Sequence, residues 1–482
     1  MPTEQSKKII AQIRQKSFLQ LINGTLTAGA TTIPVIDPAT EEVLLHAPVA
    51  DKAQANQAIQ SANQAFPLWR TLPASDRVSL LLQLLDRIEA HRDLIAQIIT
   101  LEVGKPLAAA YADVDLALMW GREVTQMSLE PTRLEKTPDV IVEIHHAPLG
   151  VVLAIIPWNF PFFQTLYKLV PALMCGNTLI IKPAPTSPLN ALLLAELAHD
   201  LFPAGVLNIL GDAGDLGPHL SQHPDIHKIS FTGSTSVGRH VMASGASNLK
   251  RIVLELGGND AALVLDDANL EMAAKSIFDW AFMNSGQVCI NIKRIYVPTK
   301  HYDAFCTLFA AHAQRAVLGH GLNEQTEFGP LQNKRQFETI KQLLEQAKKD
   351  GTIVAGGTIT AGKGYFVPLT VVRDIDENSP LITEETFGPI RAIMPYHSID
   401  DAIQRINNTP YGLGNSVWSS DLERARTIAQ QLESGTVWIN THFALAPDVP
   451  FGGHKQSGLG VEFGIEGLLA FTAPKVIHIN IP

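Results

Sequence analysis

From residue 149 onward, short apolar runs alternate with segments of helical periodicity, and this pattern restricts the fold more than any other feature of the chain. The runs are residues 151–156, 179–182, 206–210, 228–231 and 252–256, and helix-like segments such as 188–201 fill the gaps. Strands that are apolar along their whole length must be covered on both faces, as in a parallel sheet with helices on either side. We therefore predict an α/β fold with a doubly wound parallel sheet, which binds ligands beyond the carboxyl ends of its strands.

A second αβ pattern covers about residues 268–455, with strands expected at 295–297, 367–372, 392–395 and 436–440. Two further segments, 140–146 and 476–481, have strand character but no evident partner within the pattern. Because an unpaired strand edge exposes backbone donors and acceptors, we expect these two to pair with each other across a subunit boundary. This pairing implies an oligomer.

Charge and cysteine content exclude several classes of protein. The net charge of −10 is spread along the chain, whereas a nucleic-acid partner would need a clustered basic face. Three cysteines cannot make a disulfide framework, and no Cys or His cluster has zinc spacing, so we expect a cytoplasmic location and no metal. No apolar run is long enough for a membrane span. Residues 1–20 are interpreted as a surface helix rather than an import signal, because they contain Glu4 and lack a small-residue cleavage site.

Cys289 ends the segment Asn-Ser-Gly-Gln-Val-Cys, between a helical pattern and a strand. A lone cysteine in an intracellular chain is more often a small buried hydrophobe than a nucleophile, and Cys175 and Cys306 are interpreted in that way. Covalent catalysis at a carbonyl needs a nucleophile, a donor for the developing oxyanion and a base for the second step. The chain contains candidates for both of the other parts.

Asn159 lies in Pro-Trp-Asn-Phe-Pro, which ends one strand of the predicted sheet, and its amide is placed to reach a reacting oxygen. The alternative is an ordinary turn asparagine. Glu255 ends an apolar strand in Leu-Glu-Leu-Gly-Gly, where desolvation should raise its pKa towards the range of a general base. The alternative is a glutamate that caps or turns the chain. The fingerprint GxGxxG is absent, and its nearest counterpart, Gly233 with Gly238, is a weak signal by itself.

Together with other segments, these motifs resemble the aldehyde dehydrogenase superfamily, in its hydrolytic NAD(P)-dependent branch, from about residue 33 to the end of the chain. The matching segments are 157–161, 231–235, 254–258, 286–289, 385–389 (Glu-Thr-Phe-Gly-Pro), 408–412 (Asn-Thr-Pro-Tyr-Gly) and 450–455 (Pro-Phe-Gly-Gly-x-Lys). Each is weak alone, but their joint occurrence in this order and spacing is specific.

With this resemblance, the predicted domains are a dinucleotide-binding domain (residues 1–128 and 149–256), a catalytic domain (257–456) and a small β oligomerisation element (129–148 and 457–482). More than one domain also agrees with the length, since 482 residues exceed what a single hydrophobic core holds. The expected assembly is a homodimer or homotetramer.

The resemblance implies oxidation of an aldehyde to a carboxylic acid. Cys289 would be the nucleophile, Asn159 with the backbone N–H of Cys289 would form the oxyanion hole, and Glu255 would activate the water that hydrolyses the thioester. The cofactor would lie against Ile156, Trp158, Lys182, Gly211, Phe231, Gly233, Ser234, Gly257, Glu385 and Phe387.

Within that cofactor site, Lys182 would bind the adenosine ribose. Pro185 occupies the position at which the family often has a glutamate that repels the 2′-phosphate of NADP. A proline has no charge and no N–H, so NAD remains the expected cofactor while NADP stays open.

The resemblance also implies a substrate tunnel lined by Gln164, Tyr167, Met283, Val288, Ile290, Phe443 and Leu445. Most of these are apolar and none is an arginine, which favours a neutral aliphatic or aromatic aldehyde. Two alternatives stay open, an acylating relative in which coenzyme A resolves the thioester and a catalytically silent relative on the same scaffold. The presence of Glu255 counts against the first, and that of both Cys289 and Glu255 counts against the second.

Overall fold

The computed structural model describes residues 4–481, in which two large sheets are covered by helices. The first sheet has the strand order Thr25–Thr27, Gln20–Ile22, Leu207–Ile209, Thr178–Lys182, Val151–Ile155, Lys228–Thr232, Arg251–Glu255 and Gly458–Leu459. The five strands between residues 151 and 255 are parallel, and the strands that flank them are antiparallel. The predicted α/β fold is therefore confirmed, with antiparallel strands added at both edges.

The order of the parallel strands reverses between Val151–Ile155 and Lys228–Thr232. From this point the chain winds outward in both directions, so the loops after these two strands diverge and leave a crevice at the carboxyl edge. The segment 156–160 follows the first of them and residues 233–234 follow the second. The proposed oxyanion and phosphate residues therefore lie at the switch point.

The second sheet has the order Thr352–Ala355, Thr370–Arg373, Ile390–Tyr396, Arg294–Pro298, Ala261–Val264, Gly414–Trp418 and Thr436–Ile439. All neighbours are parallel except the first pair. Four of these strands agree with the prediction, although the one expected at 367–372 begins only at Thr370. The strands Thr352–Ala355, Ala261–Val264 and Gly414–Trp418 were not predicted, because they are short or carry polar residues on a buried strand.

A third sheet joins Thr132–Thr137, Val140–Pro148 and Thr472–Asn480. The expected pairing across a subunit boundary is wrong, since Val140–Pro148 and Thr472–Asn480 pair antiparallel within one chain. Asn177 explains the intramolecular pairing, because its Oδ1 accepts the N–H of Leu149 at 2.7 Å while its Nδ2 donates to Phe471 O at 3.0 Å. One buried amide therefore brings the two segments to the same place.

The remaining elements complete the molecule. Thr31–Asp37 pairs with Glu42–Val49, and Tyr411–Gly412 pairs with His454–Lys455. The helices are Glu4–Arg14, Lys52–Trp69, Ala74–Ala90, Arg92–Val103, Leu107–Val124, Pro161–Met174, Leu189–Ala198, Leu216–Gln222, Thr235–Gly245, Leu270–Phe282, Tyr302–Arg315, Lys334–Asp350, Pro380–Thr383, Ile399–Asn407, Leu422–Ala429 and Gly464–Leu469, with 3-10 turns at Met283–Gly286 and Thr299–His301. Within residues 4–481, no helix has the length and apolar character needed to cross a membrane.

The predicted N-terminal surface helix is present as Glu4–Arg14. Residues 1–3 of that prediction, and residue 482 of the predicted oligomerisation element, lie outside the described residues. The domain boundaries stay a prediction.

Candidate active site

The loop that carries Cys289 is held in an unusual backbone conformation. Asn284, Ser285 and Gly286 have φ values of 52°, 55° and 77° in succession, which is the left-handed region. Ser285 Oγ donates to Gly329 O at 2.8 Å, and Gln287 Oε1 accepts the N–H of Gln332 at 2.9 Å. The backbone that precedes Cys289 is thus held by hydrogen bonds to residues that are distant in sequence.

Asn159 connects this loop to the first sheet. Its side chain is buried, and its Nδ2 donates to Gln287 O at 2.9 Å. Its Oδ1 accepts from Gln164 Nε2 at 3.4 Å, which orients the amide. An amide nitrogen carries two hydrogens, so one remains for a further acceptor beside Cys289.

Glu255 ends its strand next to Thr232 and is 4% exposed. Its Oε1 has no hydrogen-bond partner among residues 4–481. Burial, and next the negative charge of Glu462, raise the pKa of Glu255 well above its ordinary value, while Lys168 opposes them. The direction agrees with the expectation from the sequence, and a carboxyl of this kind is suited to proton transfer.

A buried ion pair that the sequence reasoning missed lies behind Glu255. Lys168 Nζ donates to Glu462 Oε1 at 2.8 Å and to Ser230 Oγ at 2.7 Å, with both charged side chains almost fully buried. A signal was available in the helix Pro161–Met174, where Lys168 is the one charged residue. Since a buried ammonium needs an anionic partner, that lysine predicts a carboxylate elsewhere in the chain.

Lys293 is a second missed residue, fully buried beneath the Cys289 loop. Its Nζ donates to Cys289 O and lies 3.7 Å from Glu385 Oε1, which also accepts the N–H of Gly258 at 3.1 Å. Burial raises the pKa of the Cys289 thiol to about 12, and Lys293 opposes that rise. Lys293 therefore joins the predicted nucleophile to the predicted cofactor ligand.

The predicted cofactor residues follow the carboxyl ends of the first sheet or face them. A Cβ on Gly233 would approach the Phe231 ring to 2.6 Å, so the backbone there lies open only because residue 233 is glycine. Ser234 caps the helix Thr235–Gly245, and the N–H groups of a helix N-terminus attract anions. The Trp158 and Phe387 rings meet edge to face at 5.4 Å. Ile156 and Gly257 are buried, and a Cβ on Gly257 would approach the Glu385 carboxylate to 2.2 Å.

Lys182 is a buried residue and not a solvated strand end. Its Nζ donates to Asp212 Oδ2 at 2.6 Å, and both side chains are less than a tenth exposed. Gly211 precedes Asp212, and a Cβ there would approach Pro48 O to 1.9 Å. Asp212 was not identified from the sequence.

Apart from Gln164, the predicted tunnel residues belong to the same large apolar cluster as Cys289. Apolar packing joins Tyr167, Met283, Val288, Ile290, Phe443 and Leu445 in one cluster with Cys289 and Phe160. Gln164 lies next to Tyr167, since its Oε1 accepts a hydrogen bond from the Tyr167 hydroxyl at 3.3 Å. The Phe443 ring stacks on Trp280 at 5.5 Å. The other two cysteines lie elsewhere, Cys175 at a helix end against Leu468 O and Cys306 within Tyr302–Arg315.

A family model described as the aldehyde dehydrogenase family matches residues 26–477. Among curated proteins, cytosolic aldehyde dehydrogenase 1 of Rattus norvegicus is 39% identical over 463 residues, which are 93% of this chain and 91% of the relative. Aldehyde dehydrogenase 1A1 of Oryctolagus cuniculus is 40% identical over 458 residues, covering 93% and 92%.

Two solved structures extend the comparison. The NAD+ complex of an aldehyde dehydrogenase from Bacillus cereus has a TM-score of 0.95 at 35% identity, covering 98% of each chain. Betaine aldehyde dehydrogenase from Staphylococcus aureus, in complex with NAD+, has a TM-score of 0.94 at 32% identity, covering 99% of this chain and 97% of the other. The similarity therefore extends over nearly the whole chain.

Proposed function

The chain belongs to the aldehyde dehydrogenase family and oxidises aldehydes to carboxylic acids with NAD(P)+, and we propose that it does so through a thioester on Cys289. The observation that carries this proposal is the convergence of a thiol, an amide and a carboxyl from separate loops. The Asn159 amide bonds the backbone two residues before Cys289, and burial, with smaller contributions from the charges of Glu385 and Glu255, raises the pKa of the Cys289 thiol. These are the three parts that acyl transfer at a carbonyl needs.

The residues at the carboxyl edge of the first sheet fit NAD(P)+. The Lys182 ammonium can donate to the adenosine ribose, and the N-terminus of the helix Thr235–Gly245 can donate to the phosphates. The Glu385 carboxylate can accept hydrogen bonds from ribose hydroxyls. Trp158 and Phe387 supply an apolar wall. When bound, NAD(P)+ accepts the hydride.

In the first step, the Cys289 thiol gives up its proton to solvent, the thiolate sulfur forms a bond to the aldehyde carbon, and the carbonyl oxygen becomes an oxyanion. The second hydrogen of Asn159 Nδ2 stabilises that charge, together with the backbone N–H of Cys289. Loss of the hydride from carbon restores the carbonyl, and a thioester of Cys289 remains.

In the second step, Glu255 takes a proton from a water that attacks the thioester carbon. The carbon–sulfur bond breaks, which releases the acid, and the proton taken up by Glu255 passes to the sulfur and restores the Cys289 thiol. Glu255 must be ionised to accept this proton, and the Lys168 ammonium favours its ionised form.

A rapid-mixing experiment tests these roles. The purified chain is mixed with NAD+ or NADP+ and a panel of aldehydes, and reduced cofactor is followed by absorbance. Glu255→Gln should give a burst close to one equivalent per site with turnover reduced by at least about 100-fold, since only hydrolysis needs the base. Cys289→Ala should lose both the burst and turnover.

The other two cysteines provide the controls. Cys175→Ala and Cys306→Ala should keep the burst and the steady-state rate, because neither thiol lies in the site. Full turnover by Cys289→Ala or by Glu255→Gln would refute the assignment. Acyl-CoA formed on adding coenzyme A would show that a thiol, and not water, resolves the thioester.

We further propose a neutral aliphatic or aromatic aldehyde as the substrate. The residues around Cys289 are largely apolar, and Gln164 and the Tyr167 hydroxyl are the polar groups among the predicted tunnel residues. A carboxylate on the substrate would be desolvated there, and none of the predicted tunnel residues carries a positive charge to pair with it. The aldehyde panel therefore includes a semialdehyde, for which kcat/KM should be the lowest.

The proposed assembly is a homodimer or homotetramer in the cytoplasm. The outer edge of Thr472–Asn480 pairs with no other strand of residues 4–481, and it exposes Val476, Ile477 and Ile479. Such an edge needs a cover. The rat relative is named cytosolic, which supports the location.

A further inference from the structure

Lys182 and Asp212 form a buried ion pair at the carboxyl edge of the first sheet. The strands Thr178–Lys182 and Leu207–Ile209 are parallel neighbours, with Ile181 opposite Ile209, so the loops that follow them lie side by side. Lys182 Nζ donates to Asp212 Oδ2 at 2.6 Å, and the two side chains are 8% and 1% exposed. The ammonium is therefore already neutralised within the protein.

The Asp212 carboxylate is held in place on its other side. Its Oδ1 accepts the backbone N–H groups of Gly214 at 2.8 Å, Asp215 at 3.1 Å and Leu216 at 3.1 Å. Burial acts to raise the pKa of Asp212, but Lys182 and these donors outweigh it, so the pKa lies below its ordinary value. Asp212 is a fixed negative charge that cannot rotate away without losing four hydrogen bonds.

The loop that contains Asp212 lies beside Pro185, the position at which the family often has a glutamate that repels the 2′-phosphate. A Cβ on Gly214 would lie 3.9 Å from Pro185 Cγ, so the two loops lie close together. Neither residues 183–188 nor residues 211–218 contain an arginine or a further lysine, whereas Asp212 adds a buried negative charge. This edge of the sheet has no free cation in its two loops.

We propose that Asp212 selects NAD+ over NADP+, and so performs from the neighbouring loop the exclusion that Pro185 cannot provide. This inference rests on the proposed function, in which Lys182 binds the adenosine ribose. A ribose 2′-hydroxyl donates a hydrogen bond to a carboxylate, whereas a 2′-phosphate is an anion that only accepts. A 2′-phosphate bound at Lys182 would be repelled by the Asp212 carboxylate, and the Lys182 ammonium would already be paired with that carboxylate. Both effects weaken the binding of NADP+, and neither applies to NAD+.

Equilibrium binding of the reduced cofactors tests the proposal without any chemistry. The purified full chain is titrated with NADH and NADPH, followed by fluorescence, and with 5′-AMP and 2′,5′-ADP, followed by calorimetry. Like-charge contact and an unavailable cation should make NADPH bind at least about 30-fold more weakly than NADH. Asp212→Asn, and separately Asp212→Ser, should reduce that ratio by at least about tenfold, because Lys182 becomes free to pair with the phosphate.

Asp215→Asn is the matched control, since it removes the same charge from an exposed position three residues away that does not pair with Lys182. Its ratio should stay within about twofold of the original, as expected for a solvated charge. Equal binding of NADH and NADPH by the unaltered chain would overturn the proposal, as would an unchanged ratio in a folded Asp212 variant. If neither cofactor nor either fragment binds, the proposed function itself fails.

Discussion

At the scale of single residues, the behaviour of the site depends on which buried charges face one another. Glu255 is buried next to an anion, Glu462, and a cation, Lys168, which are themselves paired at 2.8 Å. An isolated buried carboxyl would stay protonated and could not act as a base, whereas a nearby ammonium makes ionisation attainable. The Lys168–Glu462 pair thus influences the pKa of Glu255, the proposed base of the hydrolysis step.

Glu462→Gln should shift the acid limb of the kcat profile to lower pH. The substitution removes the negative charge of Glu462, which raises the pKa of Glu255. The positive charge of Lys168, which lowers that pKa, remains, so the pKa of Glu255 falls. A base with a lower pKa remains ionised at lower pH, which extends activity in that direction. The measurement is kcat as a function of pH with a saturating aldehyde and cofactor.

Glu466→Gln is the control, because Glu466 is exposed and lies four residues further along the same segment. Its acid limb should coincide with that of the unaltered chain. A Glu462→Gln profile displaced to higher pH would contradict the assignment of Glu255 as the group that titrates.

At the scale of elements, the turn before Cys289 is the most demanding piece of backbone in the site. Non-glycine residues adopt the left-handed conformation at a cost of about 1 kcal/mol or more each, and Asn284 and Ser285 both do so. Their conformation persists because Ser285 and Gln287 bond the segment that contains Gly329 and Gln332. The nucleophile is therefore positioned by a loop distant in sequence.

Gly286→Ala should destabilise the protein by about 2–4 kcal/mol, since the new Cβ is both strained and crowded. Gly286 has a φ of 77°, and a Cβ there would lie 2.2 Å from Gly388 O. The free energy of unfolding is measured by urea denaturation of the unaltered and variant chains. The rate of thiol alkylation by iodoacetamide should change as well, because the Cys289 loop shifts.

Gly217→Ala serves as the reference substitution, because Gly217 lies in a helix and a Cβ there would meet nothing within 4 Å. It should be neutral or stabilising by up to about 1 kcal/mol. Equal stability of Gly286→Ala and Gly217→Ala would show that the turn is not under the strain described.

At the scale of the whole molecule, the strand Thr472–Asn480 is an edge of the small sheet and pairs with no further strand among residues 4–481. Val476, Ile477 and Ile479 are 52%, 37% and 37% exposed on the strand Thr472–Asn480. An edge strand of nine residues with three exposed large apolar side chains is a template for association, and natural proteins seldom leave one open.

The double substitution Ile477→Lys with Ile479→Lys should weaken self-association by at least about tenfold, because charged residues on an edge strand oppose pairing. The molar mass in solution is measured by light scattering over a dilution series. Met272→Lys, which adds a charge at another exposed apolar residue, should leave the mass unchanged. A monomeric unaltered chain, or a double variant of undiminished mass, would contradict the proposed assembly.

Much of the fold was predictable because its determinants are local. Each of the five parallel strands of the first sheet contains buried apolar residues, and Val151–Ile155 consists of them entirely, so much of their burial is visible in the sequence itself. Gly414–Trp418 escaped prediction for the opposite reason, since Asn415 and Ser416 are polar but buried, and Asn415 Oδ1 accepts the N–H of Ala261 at 2.8 Å. Its position in the sheet depends on a partner more than 150 residues away.

The sequence by itself determined the class of fold, the family and the candidate positions of Cys289, Asn159 and Glu255, because strand periodicity and short motifs are properties of neighbouring residues. Only the tertiary structure decided which charges meet. Lys168 with Glu462 and Lys182 with Asp212 pair residues that lie 294 and 30 positions apart, and Val140–Pro148 pairs within its own chain. A buried charge needs a partner because the dielectric constant of the interior is low, and the tertiary path of the backbone decides which residue becomes that partner. Neither factor is visible in a local stretch of sequence.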